Sequence, residues 1–285
     1  MSRPGRTGGG GGFVLAELLV AMVIAAIIGV ALTQLVVSQS RFVSLQSSVM
    51  QARSGGRAAL NVLASDLRMV TDSGLLGASH DSVTLRVPYA FGVACGQASG
   101  RTSVSLVPTD SAAYDAATAS GYAWQDSTGG YVFVEPGAVV GGVVSACSGL
   151  TPPITTLSAS AGWSARVVQV SPNDVRTPQG AVVYLYQIVR YAFAPSTQIP
   201  GRVALWRTVL ATGQRDELVA PFDSTSGFAF LVGSSLTEQA SPPADLTTVR
   251  GLRVTLISAS ERPPEGRTTP VTFNLTADVL FQNHS

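Results

Sequence analysis

Residues 13–37 read FVLAELLVAMVIAAIIGVALTQLVV, an almost unbroken apolar run with one charged residue, Glu17. At 1.5 Å per residue, a helix of about 25 residues spans roughly 37 Å, which exceeds the ~30 Å hydrocarbon core of a bilayer. A helix of a soluble protein usually has one polar face, whereas this run is apolar on every side. The stretch therefore predicts a transmembrane helix over residues 13–37.

The helical pattern continues beyond the membrane segment. Over residues 38–70, apolar or small residues recur every three or four positions: Phe42, Leu45, Val49, Ala52, Gly56, Ala59, Leu63, Leu67 and Val70. This spacing places them on one face of a helix, and such a stripe must be buried against another element. We expect an amphipathic stem helix that bends at Gly55 and Gly56, because each glycine costs about 1 kcal/mol relative to alanine.

From residue 71 to residue 285 the pattern is typical of strands. Runs rich in Val, Tyr, Phe, Leu and Thr, separated by turns with Pro and Gly, predict strands. These runs are 82–87, 131–135, 165–170, 181–193, 202–210, 227–232, 252–258 and 270–281. Several strands after one helix indicate an α+β fold with a mostly antiparallel sheet. Residues 90–130, dominated by Ala, Ser, Gly and Thr, are predicted to be an insertion of long connections between short strands.

The composition excludes several classes of function. Only 12% of the 285 residues are charged and the net charge is +1, so there is no basic footprint for nucleic acid. The chain has no Lys, which excludes a P-loop, a Schiff-base enzyme and a protein kinase. His80 and His284 lack partners at metal-ligand spacing. Asp110, Asp115 and Asp126 could meet around Ca²⁺, but acidic residues in polar loops are usually solvated. We therefore predict no enzymatic activity, no cofactor and no metal.

The residues before the apolar run form a specific pattern. A polar leader, residues 1–12, carries Arg3 and Arg6 and ends in Gly12; Phe13 follows, and Glu17 is the fifth residue counted from that Phe. Together with the apolar helix, this arrangement resembles the class III signal of type IV prepilins and type II secretion pseudopilins. The leader, the glycine, the spaced glutamate and the helix must all coincide, which makes the motif specific.

The resemblance implies a role for each matching residue. A prepilin peptidase would cut between Gly12 and Phe13 at the cytoplasmic face, and Phe13 would become N-methylated. Glu17 would then attract the free amine of Phe13 on a neighbouring subunit during assembly. A lone carboxylate in apolar surroundings is costly, whereas one that faces an ammonium group is stabilised.

The resemblance also implies a location and partners. The chain would be a single-pass protein of a bacterial inner membrane with a pilin-like fold, its head in the periplasm or elsewhere outside the cytoplasm. Its partners would be other minor pilins or pseudopilins, the prepilin peptidase and the inner-membrane assembly platform. Whether the parent machine is a pilus, a secretion system or a DNA-uptake apparatus stays open.

Weaker similarities point to a subgroup. The segments 184–191, 204–207 and 249–256, and the stem residues 57–60 and 66–68, resemble the minor pilin W and pseudopilin J group. A mature chain of about 273 residues is also large for a major pilin. The expected function is that of a minor pilin or pseudopilin that joins a filament and helps to initiate or cap it.

Three alternatives to this interpretation are open. A secretory signal peptide could be cleaved after Gly29-Val30-Ala31, although its apolar region would contain a carboxylate and be longer than usual. The run could instead be an uncleaved signal anchor. In the third alternative the head is a membrane-anchored extracytoplasmic binding protein or enzyme, and the helix is only a tether.

Cys95 and Cys147 are the two cysteines of the chain. Because the N-terminus implies export, we expect them to form a disulfide, since such bonds persist in oxidising compartments. On the chain-entropy model, a closed loop of about fifty residues stabilises the fold by about 4 kcal/mol. The alternative is a pair of buried free thiols.

Overall fold

The structure, a computed structural model, describes residues 11–71, 73–135, 138–147 and 166–281. In these residues a long helix is followed by a β-rich head. The helices are α1 (Gly11–Met69) and α2 (Ser111–Ala116). The strands are β1 (Leu75–Ala78), β2 (Ser82–Ala98), β3 (Arg101–Leu106), β4 (Gly121–Gln125), β5 (Tyr131–Val134), β6 (Ala138–Gly141), β7 (Val167–Ser171), β8 (Val182–Pro195), β9 (Val203–Val209), β10 (Gln214–Phe222), β11 (Gly227–Val232), β12 (Thr237–Gln239), β13 (Val249–Ala259) and β14 (Thr272–Leu280).

Helix α1 unites the apolar run and the predicted stem in one continuous helix. No proline interrupts it, and its last two turns before Met69 are rich in Ala, Leu and Arg, which favour helix. Arg68 lies in the last turn, where a positive charge interacts favourably with the helix dipole. The helix continues through Gly55 and Gly56, where a bend was expected.

The strands form one sheet, as the α+β prediction requires. The order along it is β12-β11-β13-β10-β9-β8-β2-β3-β7-β6, with β14 beside β13, β1 beside β2, and β4 and β5 added at β8. Each described pairing is antiparallel. A long apolar helix on a large antiparallel sheet is thus the architecture of this chain.

Two long strands divide the head into two lobes. β2 and β8 pair over most of their length, from Ser82 opposite Ala192 to Val93 opposite Val182. One end of this pair joins β1 and β9–β14 and faces α1; we call this the proximal lobe. The other end joins β3–β7 and α2; we call this the distal lobe.

Each lobe has its own hydrophobic core. The proximal core lies between α1 and the sheet and includes Leu63, Leu67, Leu85, Tyr191, Phe222, Phe228 and Leu256. The distal core includes Ala94, Val104, Leu106, Tyr122, Trp124, Val168 and Leu185. Since β2 and β8 contribute to both cores, the lobes share one continuous sheet.

The prediction for residues 90–130 was wrong. In place of long connections around short strands, β2 extends to Ala98, and β3 and β4 follow within the same stretch. Small side chains build these strands because they fit a tight interior: a Cβ at Gly92 would lie 2.5 Å from the carbonyl oxygen of Ser105 on β3. These residues are therefore the frame of the distal lobe.

Candidate functional site

The N-terminal end of α1 carries the residues that the sequence singles out. Residues 1–10 of the leader lie outside the described residues, and the backbone of Gly12 and Phe13 belongs to the first turn of α1. Glu17 follows Phe13 by four residues, so the two positions share one face of the helix. Within the part of the chain that the structure describes, Glu17 is exposed and forms no hydrogen bond or ion pair.

The helix that carries Glu17 is long and apolar enough to cross a membrane. Its most apolar window of 18 residues has a mean hydropathy of 2.6, and none of that window is buried inside the protein. Leu19, Ile27 and Val36 are each more than half exposed. Exposed apolar side chains on all sides of a helix fit a lipid environment.

The far half of α1 is buried in the head. The predicted stripe is confirmed from Ala52 onward, because Ala52, Ala59, Leu63 and Leu67 are fully buried. It is wrong for Phe42, whose side chain is 59% exposed, since the head does not cover that face of the helix there. The stem is therefore a structural part of the proximal core.

A close contact with a side chain of the sheet explains Gly56. A Cβ at Gly56 would lie 2.8 Å from the Ser258 hydroxyl oxygen, so any larger residue would push the helix away from β13. The Ser258 hydroxyl donates a hydrogen bond of 2.6 Å to the carbonyl oxygen of Ala52. Gly56 thus lets the helix approach close enough for this buried contact.

Two further polar contacts hold α1 to the sheet. The Tyr191 hydroxyl donates a hydrogen bond of 2.6 Å to the Asp66 carboxylate, and Arg207 lies 3.9 Å from the same carboxylate. Just past the end of α1, the hydroxyls of Thr71 and Tyr184 are 2.9 Å apart. Burial raises the pKa of Tyr184 and Tyr191 well above the usual value, so both hydroxyls keep their protons at physiological pH.

A loop beside the stem reaches further down the helix. We call residues 260–271, which connect β13 and β14, the strap. The Ser40 hydroxyl donates to the Glu265 carboxylate at 2.8 Å, and the backbone N–H of Glu265 donates to the Ser44 hydroxyl at 3.0 Å. The strap therefore extends the head's contact with α1 toward the membrane segment.

The structure joins Cys95 and Cys147 in a disulfide with Cα atoms 4.8 Å apart. Cys95 lies on β2, and Cys147 ends a short turn of 3-10 helix. Both cysteines are buried, and they pack together with Val167 on β7. The bond ties the segment after β6 to the frame of the distal lobe.

We expect this bond to be present in exported protein and to protect both cysteines from alkylation. Mass spectrometry after alkylation of unreduced, denatured protein should show no labelled thiol, whereas reduced protein should show two. Cys147→Ser should lower the free energy of unfolding by about 4 kcal/mol, because the loop between positions 52 residues apart is no longer closed. Two labelled thiols in freshly exported, unreduced protein would refute the bond.

The three aspartates considered for Ca²⁺ have separate roles. Asp110 accepts a hydrogen bond from the backbone N–H of Phe91, and Asp115 forms an ion pair with Arg166. Asp126 accepts hydrogen bonds within its own turn, mainly from Thr128, which lowers the pKa of its carboxyl. Across the described ranges, no group of three or more His, Cys, Asp or Glu is placed to hold a metal ion.

Comparison with protein-family models, with curated proteins and with solved structures found no match for this chain.

Proposed function

We propose that the chain is a minor pilin or pseudopilin, a non-enzymatic structural subunit of a filament anchored in the bacterial inner membrane. Prepilin peptidase removes residues 1–12, the membrane segment holds the subunit until assembly, and Glu17 pairs with the amine of Phe13 on the next subunit. The head lies outside the cytoplasm. Other minor pilins or pseudopilins and the inner-membrane assembly platform are its partners.

The observation that carries this proposal is the dual role of α1. One end bears the Gly12-Phe13 junction and Glu17 four residues later, and the other end supplies Leu63 and Leu67 to the proximal core. A tether needs only to reach the membrane and has no reason to form the core of its cargo. A subunit that is positioned by its helix does need a rigid connection between helix and head.

Processing at the N-terminus tests the proposal directly. Mass spectrometry of the protein from membranes should find a chain that begins at N-methyl-Phe13. Gly12→Val should block cleavage, since a small residue lets the backbone enter a peptidase site; Gly9→Val, within the leader, should have little effect. An intact Met1, or a chain that begins at Leu32 as a signal peptidase would leave it, would contradict the proposal.

A further inference from the structure

The stem has two chemically different flanks where it lies on the proximal lobe. Gly56 faces the sheet at Ser258, and successive residues are about 100° apart around a helix. Arg53 and Arg57 therefore lie on one side of the contact line, and Gly55 lies on the other. The contacts agree: the Arg53 guanidinium is 5.6 Å from the centre of the Phe273 ring on β14, whereas a Cβ at Gly55 would contact Val219 on β10.

The flank toward β14 is basic. Arg53, Arg57 and Arg68 lie on it and are exposed. Arg57 and Arg68 form no hydrogen bond or ion pair within the described residues. Asp66, the acidic residue of the stem, is already bound by Tyr191 and Arg207 on the sheet. The basic flank, which we define as Arg53, Arg57 and Arg68, thus has unneutralised positive charge.

The opposite side of the stem borders an acidic groove. A depression of about 160 Å³ lies between α1 and β10, and a second one of about 250 Å³ adjoins it along β10 and shares Ala220 and Glu261 with it. Glu217 and Glu261 are the charged residues that line them, and Ile199, Leu218 and Val219 add half-buried apolar surface. We call this surface the acidic groove.

The surroundings of the groove set its charge. Glu217 accepts hydrogen bonds from Ser196 and Thr197, whereas no described residue pairs with Glu261, which is exposed. Arg262 lines a third depression, which lies nearer the membrane segment and shares Gln51 and Glu261 with the groove. At its end beside β10 the groove is lined by Glu217 and Glu261 and by no basic residue among those described, so the negative charge lies at that end.

We propose that a second copy of this chain docks side by side in the membrane, with Arg57 of its basic flank in the acidic groove of the first copy. The inference rests on the proposed function in one respect, the insertion of all copies in one direction. In parallel stems, residues at similar distances from the membrane lie beside each other. Arg57 lies only about 3–9 Å along the helix axis from residues 51–55, which line the groove.

The arrangement also predicts how copies add. The two surfaces are different and lie on opposite flanks, so the contact is heterologous and each copy keeps one free flank of each kind. Opposite charges steer such surfaces into register, and like flanks repel each other. Copies would therefore add in a row and would not close into a symmetric pair.

Site-specific crosslinking in membranes tests the contact. Full-length copies with different tags, one with Arg53→Cys and one with Glu217→Cys, are co-expressed and mildly oxidised, so that Arg57 and Glu261 stay in place. We expect a crosslinked pair that carries both tags, at least tenfold above the matched control in which Glu217→Cys is replaced by Glu238→Cys on the distant strand β12. Equal yields, or no crosslink in the first pair, would overturn the inference.

Charge exchange gives an independent test. With Arg53→Cys on one copy and Glu217→Cys on the other as reporters, Arg57→Glu on the first copy should abolish crosslinking. Glu261→Arg on the second copy should restore it. An unchanged urea unfolding midpoint shows that the variants are folded. Loss of crosslinking without rescue would overturn the inference.

The N-terminal residue of the chains in the same samples, determined by mass spectrometry, distinguishes a failure of side-by-side docking from a failure of the proposed function. Processed chains that begin at Phe13 but do not crosslink would contradict side-by-side docking only. Unprocessed chains that do crosslink would contradict the proposed function only.

Discussion

Replacing Glu17 by valine is expected to abolish entry into a filament while the head remains folded and the helix remains inserted. Insertion should improve, by about 2–3 kcal/mol on insertion scales, because a carboxylate leaves the apolar run. Cleavage after Gly12 should persist, since the junction is unchanged. Crosslinking of stem cysteines to partner subunits measures the loss, which we expect to exceed tenfold.

The control for this experiment is Glu17→Asp. It keeps the charge but shortens its reach toward a neighbouring amine, so we expect partial incorporation. An intermediate value would separate charge from simple helix packing. Normal incorporation of Glu17→Val would show that stem packing and head contacts suffice, and the role assigned to Glu17 would be wrong.

Leu63→Ala should strongly lower the stability of the head. Leu63 is fully buried between α1 and the sheet, and such truncations in a core cost about 2–5 kcal/mol. The adjacent Val62 is 37% exposed, so Val62→Ala should change stability by less than about 1 kcal/mol. Urea unfolding of the full chain in detergent, followed by tryptophan fluorescence, compares the two variants.

This comparison also separates a subunit from a tethered domain. If the stem forms part of the core, a helix substitution must lower the unfolding midpoint of the whole head. If the helix were only a tether, Leu63→Ala would leave the unfolding midpoint of the head unchanged. Equal midpoints for Leu63→Ala and Val62→Ala would therefore count against the integrated stem and against the subunit that depends on it.

The helix was the most predictable part of the fold. Its apolar run and its three-to-four spacing come from one local period, which a single sequence displays directly. The spacing of the apolar residues does not show which part of the helix the head covers, and it therefore wrongly places Phe42 in the buried stripe. The sequence predicts a bend of the helix at Gly56. It does not display the contact that requires a glycine there, because Ser258 is about 200 positions away in the chain.

The strands were predictable only where large β-branched or aromatic residues cluster. Each of the eight predicted runs contains a strand, but six strands were missed. β10 begins with the charged residues Arg215, Asp216 and Glu217 and contains Pro221, all of which weaken a strand signal. β3 is rich in Ser and Thr. These segments are strands because of their neighbours in the sheet, which local patterns do not reveal.

The candidate site, too, can be predicted from the sequence only in part. Gly12, Phe13 and Glu17 lie within six residues of each other and carry a motif, whereas the acidic groove is assembled from four separate segments. Glu217 and Glu261 come from a strand and from the strap, and no spacing in the sequence relates them to Arg57. The groove became visible only when α1 was placed on the sheet.

The pairing of β2 with β8 has a consequence for the timing of folding during synthesis. Ser82 lies opposite Ala192, so the central pair of the sheet cannot form until about 110 further residues are available. Closing a loop of that length costs about 4 kcal/mol of chain entropy and makes folding slow. During this interval Leu63 and Leu67, which lie on a helix with its own local pattern, have nothing to pack against. The chain is then most vulnerable to proteases and aggregation.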